Sequence, residues 1–178
     1  MTSAPNAPSK TALLHNLALA YEQLGQLEKA RLVIDRAITA GGGAEPLIQL
    51  QSAIIAARLG DLQSAKVALS EARSLWSSSQ PPPVWFHYAA QVAAMTDDPD
   101  REILLLAAAA ETHPESPILL NNLAAGYLKR GEFAHARDAA EKGITIAPEV
   151  PQLRRNLSAA LEGIARAEKD AAQLTNRS

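Results

Sequence analysis

The chain has no cysteine, so disulfides, thiolate metal sites and thiol catalysis are excluded by composition alone. Aromatic residues are scarce: two tryptophans, two phenylalanines and three tyrosines make up 4% of 178 residues. Strands favour aromatic and β-branched side chains, and a core so poor in aromatics points instead to helices packed through small side chains. No charge of one sign dominates. Seventeen lysines and arginines stand against nineteen aspartates and glutamates, a formal net charge of −2, without the basic balance that displaces counterions from nucleic acid. Long apolar runs are missing as well. The run from Ile103 to Ala110 stops at Glu111, far short of the roughly 20 residues that span a bilayer. The first ten residues, MTSAPNAPSK, lack the basic start and apolar core of a secretory signal. A cytoplasmic chain, neither inserted in a membrane nor bound to nucleic acid, is expected.

What is present is alanine and leucine in quantity, within a hydrophobic content of 47%, and both residues have high helix propensity. Laid on itself, the chain repeats. Leu17, Ala18, Tyr21, Gly25, Ala30 and Ala37 fall opposite Leu123, Ala124, Tyr127, Gly131, Ala136 and Gly143. Two further copies fit between them, the second marked by Ala53, Gly60, Asp61, Ala65 and Ala72. Unit starts fall near Thr11, Pro46, Pro82 and Pro117, with a last half-unit at Pro151. Proline suits these places because the first N–H groups of a helix have no intrahelical partner. Two residues on, Leu13, Ile48, Val84, Leu119 and Leu153 form an apolar column, and Asn16, Gln51, His87, Asn122 and Asn156 form a polar one.

Within each unit the apolar spacing predicts two amphipathic helices with a glycine turn between them. The helices are expected at 11–24, 27–40, 45–59, 62–76, 82–96, 99–112, 117–130, 133–146 and 151–174, with loose ends at 1–9 and 175–178. The third unit is irregular. Thr96 replaces the turn glycine, Asp97-Asp98-Pro99 starts its second helix, and Glu102 falls near the place of an alanine, its register open by one residue. Ser77-Ser78-Ser79-Gln80-Pro81 and Gly41-Gly42-Gly43 read as flexible joints. The amphipathic segment after Pro151 reads as a cap that covers the open end of the array.

The Leu-Ala, Tyr, Gly and Ala columns, with Pro148 at the end of a unit, resemble the tetratricopeptide repeat (TPR) family. The resemblance covers residues 11–174 and implies an all-α, right-handed α-solenoid of about four helix pairs with a C-terminal capping helix. It also implies a protein or peptide partner held by the first helices, with no cofactor, and it leaves self-association open. Carried onto this chain, the groove-facing positions are His15 and Leu19, then Leu50, Ile54 and Arg58, then Phe86 and Ala90, then Ile118, Asn121, Leu128 and Lys129, and Arg155 on the cap. Their apolar middle predicts a trough for a partner segment with apolar anchors, and the three cations favour an acidic one. The family's two-carboxylate clamp is matched only at Asn122; Phe86, Ala90, Gln152 and Asn156 at the other clamp positions bring no cation.

Catalysis finds no support. His15, His87, His113 and His135 are unpaired at metal-ligand spacing, Gly41-Gly42-Gly43 lacks the Lys-Ser/Thr of a phosphate loop, and no G-x-S-x-G elbow occurs. Trp76 and Trp85 read as packing residues and Arg154-Arg155 as a solvated face. The expected function is a protein-interaction scaffold or adaptor. The resemblance leaves two other uses open: the regulatory or substrate-presenting arm of a larger transferase-like enzyme, or a chaperone of the type III secretion kind. A pentatricopeptide-like RNA reader shares the period but not these columns or charge.

Overall fold

Helix boundaries in this chain are written in residues that satisfy the backbone groups a helix leaves open at its ends. The computed structural model describes residues 9–76, 80–96 and 99–175. It contains α1 (Lys10–Gln23), α2 (Leu27–Thr39), α3 (Pro46–Arg58), α4 (Leu62–Ser74), α5 (Pro83–Ala94), α6 (Pro99–Thr112), α7 (Pro117–Lys129), α8 (Phe133–Ile146) and α9 (Pro151–Thr175). No strand occurs among the described residues, and none of these helices is long and apolar enough to cross a membrane. The nine expected helices are all found among the described residues, α6 and α8 with the expected bounds and the others with ends shifted by at most two residues. Helix α5 starts at Pro83 and not Pro82, because the residue before a proline is driven out of the helical region; Pro82 is extended at ψ 160°. Ser9, expected to be loose, caps α1 by accepting the Ala12 N–H at 3.1 Å, and Thr175 ends α9. The rest of the expected loose ends, with Ser77–Ser79 and Asp97-Asp98, lie outside the described residues.

Three of the turns inside helix pairs are built alike. Gly25, Gly60 and Gly131 stand at φ 72°, 81° and 73°, in the left-handed region that glycine enters at little cost. The next N–H then reaches back to a carbonyl of the last turn: Gln26 to Tyr21 at 2.8 Å, Asp61 to Ala56 at 2.9 Å and Glu132 to Tyr127 at 3.0 Å. This is the glycine-dependent C-terminal motif of helices, and it turns the chain into an antiparallel second helix. Asp61 adds an N-cap for α4, accepting from the Ser64 N–H at 3.0 Å.

The chain divides into two compact units, one through Pro81 and one from Pro82. In the first, α1 to α4 form two helix pairs around Ala18, Ala30, Val33, Ile34, Ala37, Ile48 and Ile55, with Leu14, Tyr21, Ile38 and Leu59 packed on them. The glycine joint proves to be a packed turn. Gly42 is buried, and a Cβ on it would collide with Ala37, Ile48 and Thr11, so the close approach of α1, α2 and α3 requires glycine there. Gln49 fixes the next residue by donating to the Gly43 carbonyl at 3.2 Å.

In the second unit, α5 pairs with α6 and α7 with α8, and α9 packs on α7 and α8. Leu106, Leu123, Ala124, Ala139 and Ala140 form one cluster with Tyr127 and Leu157 against it, and Phe86, Ala109 and Leu119 form another with Trp85. Small residues set the spacing here too. A Cβ on Gly143 would overlap Leu153, and one on Gly163 would overlap Phe133. Helix α9 is the expected capping helix: Leu153, Ala160 and Gly163 are buried and its last eleven residues are exposed.

Ala30, Ala65 and Ala136 are each 0% exposed at the fourth residue of α2, α4 and α8. Overfilling such a site forces side chains off their rotamers. Ala136→Leu is expected to destabilise the protein by about 1–3 kcal/mol in a urea melt, whereas Glu28→Gln on the exposed side of α2 should leave the midpoint in place. An unchanged midpoint for Ala136→Leu would refute the packing register.

Candidate functional site: a cleft floored by Glu102

Helix α6 departs from the repeat at the position that matters most for packing. Its fourth residue, where α2, α4 and α8 carry a buried alanine, is Glu102, so the structure closes the one-residue ambiguity left by the sequence. A carboxylate cannot be buried there without a partner. Glu102 finds one in Lys129, whose Nζ lies 3.2 Å from Oε1; the Glu102 side chain is 14% exposed and that of Lys129 64%. Helix geometry supports both charges. Glu102 sits in the first turn of α6 and Lys129 is the last residue of α7, where the helix dipoles favour an anion and a cation respectively.

Around this pair lies a cleft of about 240 Å³. One wall is α5, with Ala90, Gln91, Ala94 and Met95. The other is α7, with Asn122, Ala125 and Lys129, and α6 supplies the floor through Glu102 and Leu106. At the end away from Glu102 the walls are joined through His87. The Asn122 carboxamide lies 2.7 Å from Nδ1 of its ring and the Gln91 carboxamide 2.6 Å from Nε2. A neutral imidazole donates at one nitrogen and accepts at the other, so one carboxamide turns an N–H to the ring and the other its oxygen. Each carboxamide keeps hydrogen-bonding groups for the cleft. Burial holds the His87 imidazole below the usual histidine range because a charged ring would lose its hydration.

Four members of the polar column, Gln51, His87, Asn122 and Asn156, thus link helices, while Asn16 is exposed. In the second unit His87 meets Asn122, and Asn156 Nδ2 donates to Asn121 Oδ1 at 3.0 Å. In the first, Gln51 donates to the Glu22 carboxylate, which also accepts from Arg58 Nη1 at 2.9 Å. His15 in that unit is half-buried, and its imidazole too is pushed below the usual range by burial, against the opposing pull of Glu45.

The expected groove positions divide sharply. Leu50, Ile54, Phe86 and Ala90 are 0%, 4%, 7% and 3% exposed. The expectation of an open apolar strip along these residues is corrected: stacking consumes the inward residues of the first helices, which fill the cores. Ile118 stands exposed, His15, Leu19, Asn121 and Leu128 are half-buried, and Arg155 is exposed. Arg58 and Lys129, equivalent last residues of α3 and α7, are each already paired with a carboxylate only 14% exposed. Of the groove list, Ala90 and Lys129 come together in the cleft. Gln91, Met95, Glu102 and Leu106 were not read as site residues. The signal for Glu102 was its departure from the alanine column, and Gln91 stands one helical turn beyond His87. His113 lies edge-on to Phe86 at 6.0 Å, and His135 lies beside Tyr127 at 5.1 Å and bonds to Glu132 at 3.2 Å.

A second, wider groove of about 510 Å³ lies on the α6–α8 side of the same unit, over Leu120, Leu123 and Ala139 and beside Asp138, Glu141 and Lys142. It contains no charged group as deeply covered as Glu102. Asp138, on its rim, is 62% exposed.

Antiparallel helix pairs turned by one glycine motif and stacked over small residues define a helical-hairpin repeat protein. Residues 11–40 match the tetratricopeptide repeat family model, and the whole chain has the tetratricopeptide-repeat fold, an all-α solenoid of helix pairs with a capping helix. It is similar to the nearly identical TPR-like repeats of a Podosopora anserina putative kinesin light chain, with 17% identity, 96% of this chain and 94% of that one covered and a TM-score of 0.68. It is also similar to Pseudomonas aeruginosa PilF, with 17% identity, 92% and 72% covered and a TM-score of 0.67. YrrB, described as a TPR protein with an unusual peptide-binding site, is 15% identical over 86% of this chain and 82% of that one, with a TM-score of 0.52. No curated protein matches the chain in sequence.

The histidines give a pH dependence with a definite sign. His15 and His87 titrate below about 6.5 when folded, so the unfolded chain takes up protons first. Their contribution to stability is complete above about pH 6.5 and is lost as the pH falls through that value towards their lower folded values. Urea midpoints are expected to drop between pH 8 and pH 5.5, before the carboxylates titrate. The double variant His15→Gln/His87→Gln should flatten that drop. A wild-type midpoint identical at both pH values would contradict the burial argument.

Proposed function

We propose that the chain is a non-catalytic protein-interaction scaffold, and that the α5–α7 cleft receives an extended segment of its partner protein. The observation that carries this reading is the pair of carboxamides, Gln91 and Asn122, anchored on His87 with hydrogen-bonding groups left over towards the cleft. An extended peptide presents N–H and C=O groups in alternation, and a carboxamide can serve both. Between and beside these amides, Ala90, Ala94, Ala125 and Met95 leave room for a side chain. The reading is supported by the peptide-binding site, described as unusual, of YrrB, a protein of similar fold. The groove positions Ile118, Leu128 and Arg155 remain part of the proposal as flanking contacts. Leu50, Ile54 and Phe86 do not, since they are buried in the core; Ala90 stays as part of the cleft wall.

The test uses Ala94, which is exposed on the rim. A benzoylphenylalanine at position 94 should cross-link to the partner in cells, while one at Glu28 should not. The captured partner should then bind Ala94→Phe at least about tenfold more weakly, equivalent to roughly 1.4 kcal/mol, with the circular dichroism spectrum unchanged. Full binding by Ala94→Phe, with loss on substitution around Asp138 and Lys142, would place the partner in the wider α6–α8 groove and sink this reading.

A further inference from the structure

A scaffold needs nothing at the fourth residue of α6 but alanine. Three second helices of this chain have it, and each alanine there is fully buried. In α6 the place is taken by a carboxylate that opens into the cleft and is covered except for 14% of its side chain. It pairs with Lys129, a long, flexible and mostly exposed side chain that can leave for water with little loss. The cleft thus holds a deeply seated acceptor of positive charge under a displaceable cover.

Two other observations point the same way. Helix α5 ends at the cleft, at Ala94 and Met95, and carries no basic residue of its own in its last turn, so the negative end of its dipole adds to the pull on a cation there. The cleft that holds Glu102 is lined on its apolar side by Ala90, Ala94, Ala125 and Leu106. Such an apolar lining suits an alkyl stem and leaves its charged head at the carboxylate.

Building on the cleft reading above, we infer that the partner segment is read through a lysine or arginine side chain, which lies along the alanine lining and replaces Lys129 as the partner of Glu102. This reverses the acidic segment expected from the sequence, because Arg58 and Lys129 are both spoken for by carboxylates. The exchange keeps one cation on Glu102 and turns an already exposed lysine out to water.

The experiment titrates the full chain with unstructured peptides of the form Ser-Ala-Ser-Ala-Xaa-Ala-Ser-Ala-Ser and follows backbone amides by NMR. Xaa is lysine, arginine, norleucine or glutamate. Lysine and arginine peptides should shift the amides of Ala94, Glu102 and Lys129 and bind about tenfold more tightly than norleucine, with an advantage that salt reduces. Lys129→Ala should tighten the lysine peptide by up to about fivefold. Glu102→Gln should erase the preference over norleucine. Glu102→Ala restores the repeat alanine and should leave the urea midpoint unchanged or raised while also erasing the preference, which a merely structural glutamate would not do. Equal binding of lysine and norleucine, preference for glutamate, or weaker lysine binding by Lys129→Ala would overturn the charge inference and leave the cleft in place. If no peptide moves the cleft resonances, both the inference and the cleft reading fail.

Discussion

How closely a second helix can approach the first helix of its pair decides everything else in this fold. In three of the four pairs the approach runs over the fourth residue of the second helix, Ala30, Ala65 or Ala136, each without any exposure. The glycine turns at Gly25, Gly60 and Gly131 deliver the helices to that contact, and their backbone hydrogen bonds match to within 0.2 Å (2.8 to 3.0 Å). In these three pairs the two devices act together. A turn sets direction, a small residue permits contact, and only then do flanking leucines and isoleucines reach one another to exclude water. Gly42, Gly143 and Gly163 extend the rule to places where even a methyl group is too large.

The helices were legible in the sequence because this constraint leaves a periodic trace. Glycine, alanine and proline recur at intervals of about 35 residues, and each has a local physical meaning that survives without neighbours. The groove was far less legible. Leu50, Ile54 and Phe86 occupy first-helix positions that look open when each helix is considered alone, and only stacking shows that they are consumed in the core. Periodicity tells which residues share a face; it does not tell how many neighbours that face will have. The Gly41–Gly43 joint misled for a related reason. Glycine permits flexibility and close approach equally, and the choice was made by Thr11, Ala37 and Ile48, distant in sequence and adjacent in space.

Glu102 was visible as an irregularity but not as a site, since its meaning depends on Lys129, 27 residues further on. Natural sequences tend to break a local rule where function asks for it. The break here is economical: one alanine becomes glutamate, and the surrounding leucines and alanines of α6 continue to serve the cluster of Leu106, Leu123 and Ala124.

A comparison inside the chain separates this carboxylate from an ordinary surface pair. Arg58 ends α3 as Lys129 ends α7, and it too meets a carboxylate that is 14% exposed. In that case the acid is Glu22, near the end of first helix α1, and Gln51 of α3 donates to the same group. The pair joins two neighbouring first helices, while Ala30 and Ala65 keep both second helices tightly packed. Glu22 is held by two donors from one helix, one of them a guanidinium with fixed geometry. Glu102 comes instead from the packing position itself and stands at the bottom of an opening, and it is paired with a lysine, a point charge on a flexible stem. Equal burial therefore hides unequal availability. Removing Arg58 would strand a carboxylate that belongs to the architecture, whereas lifting Lys129 away uncovers one that the architecture did not need.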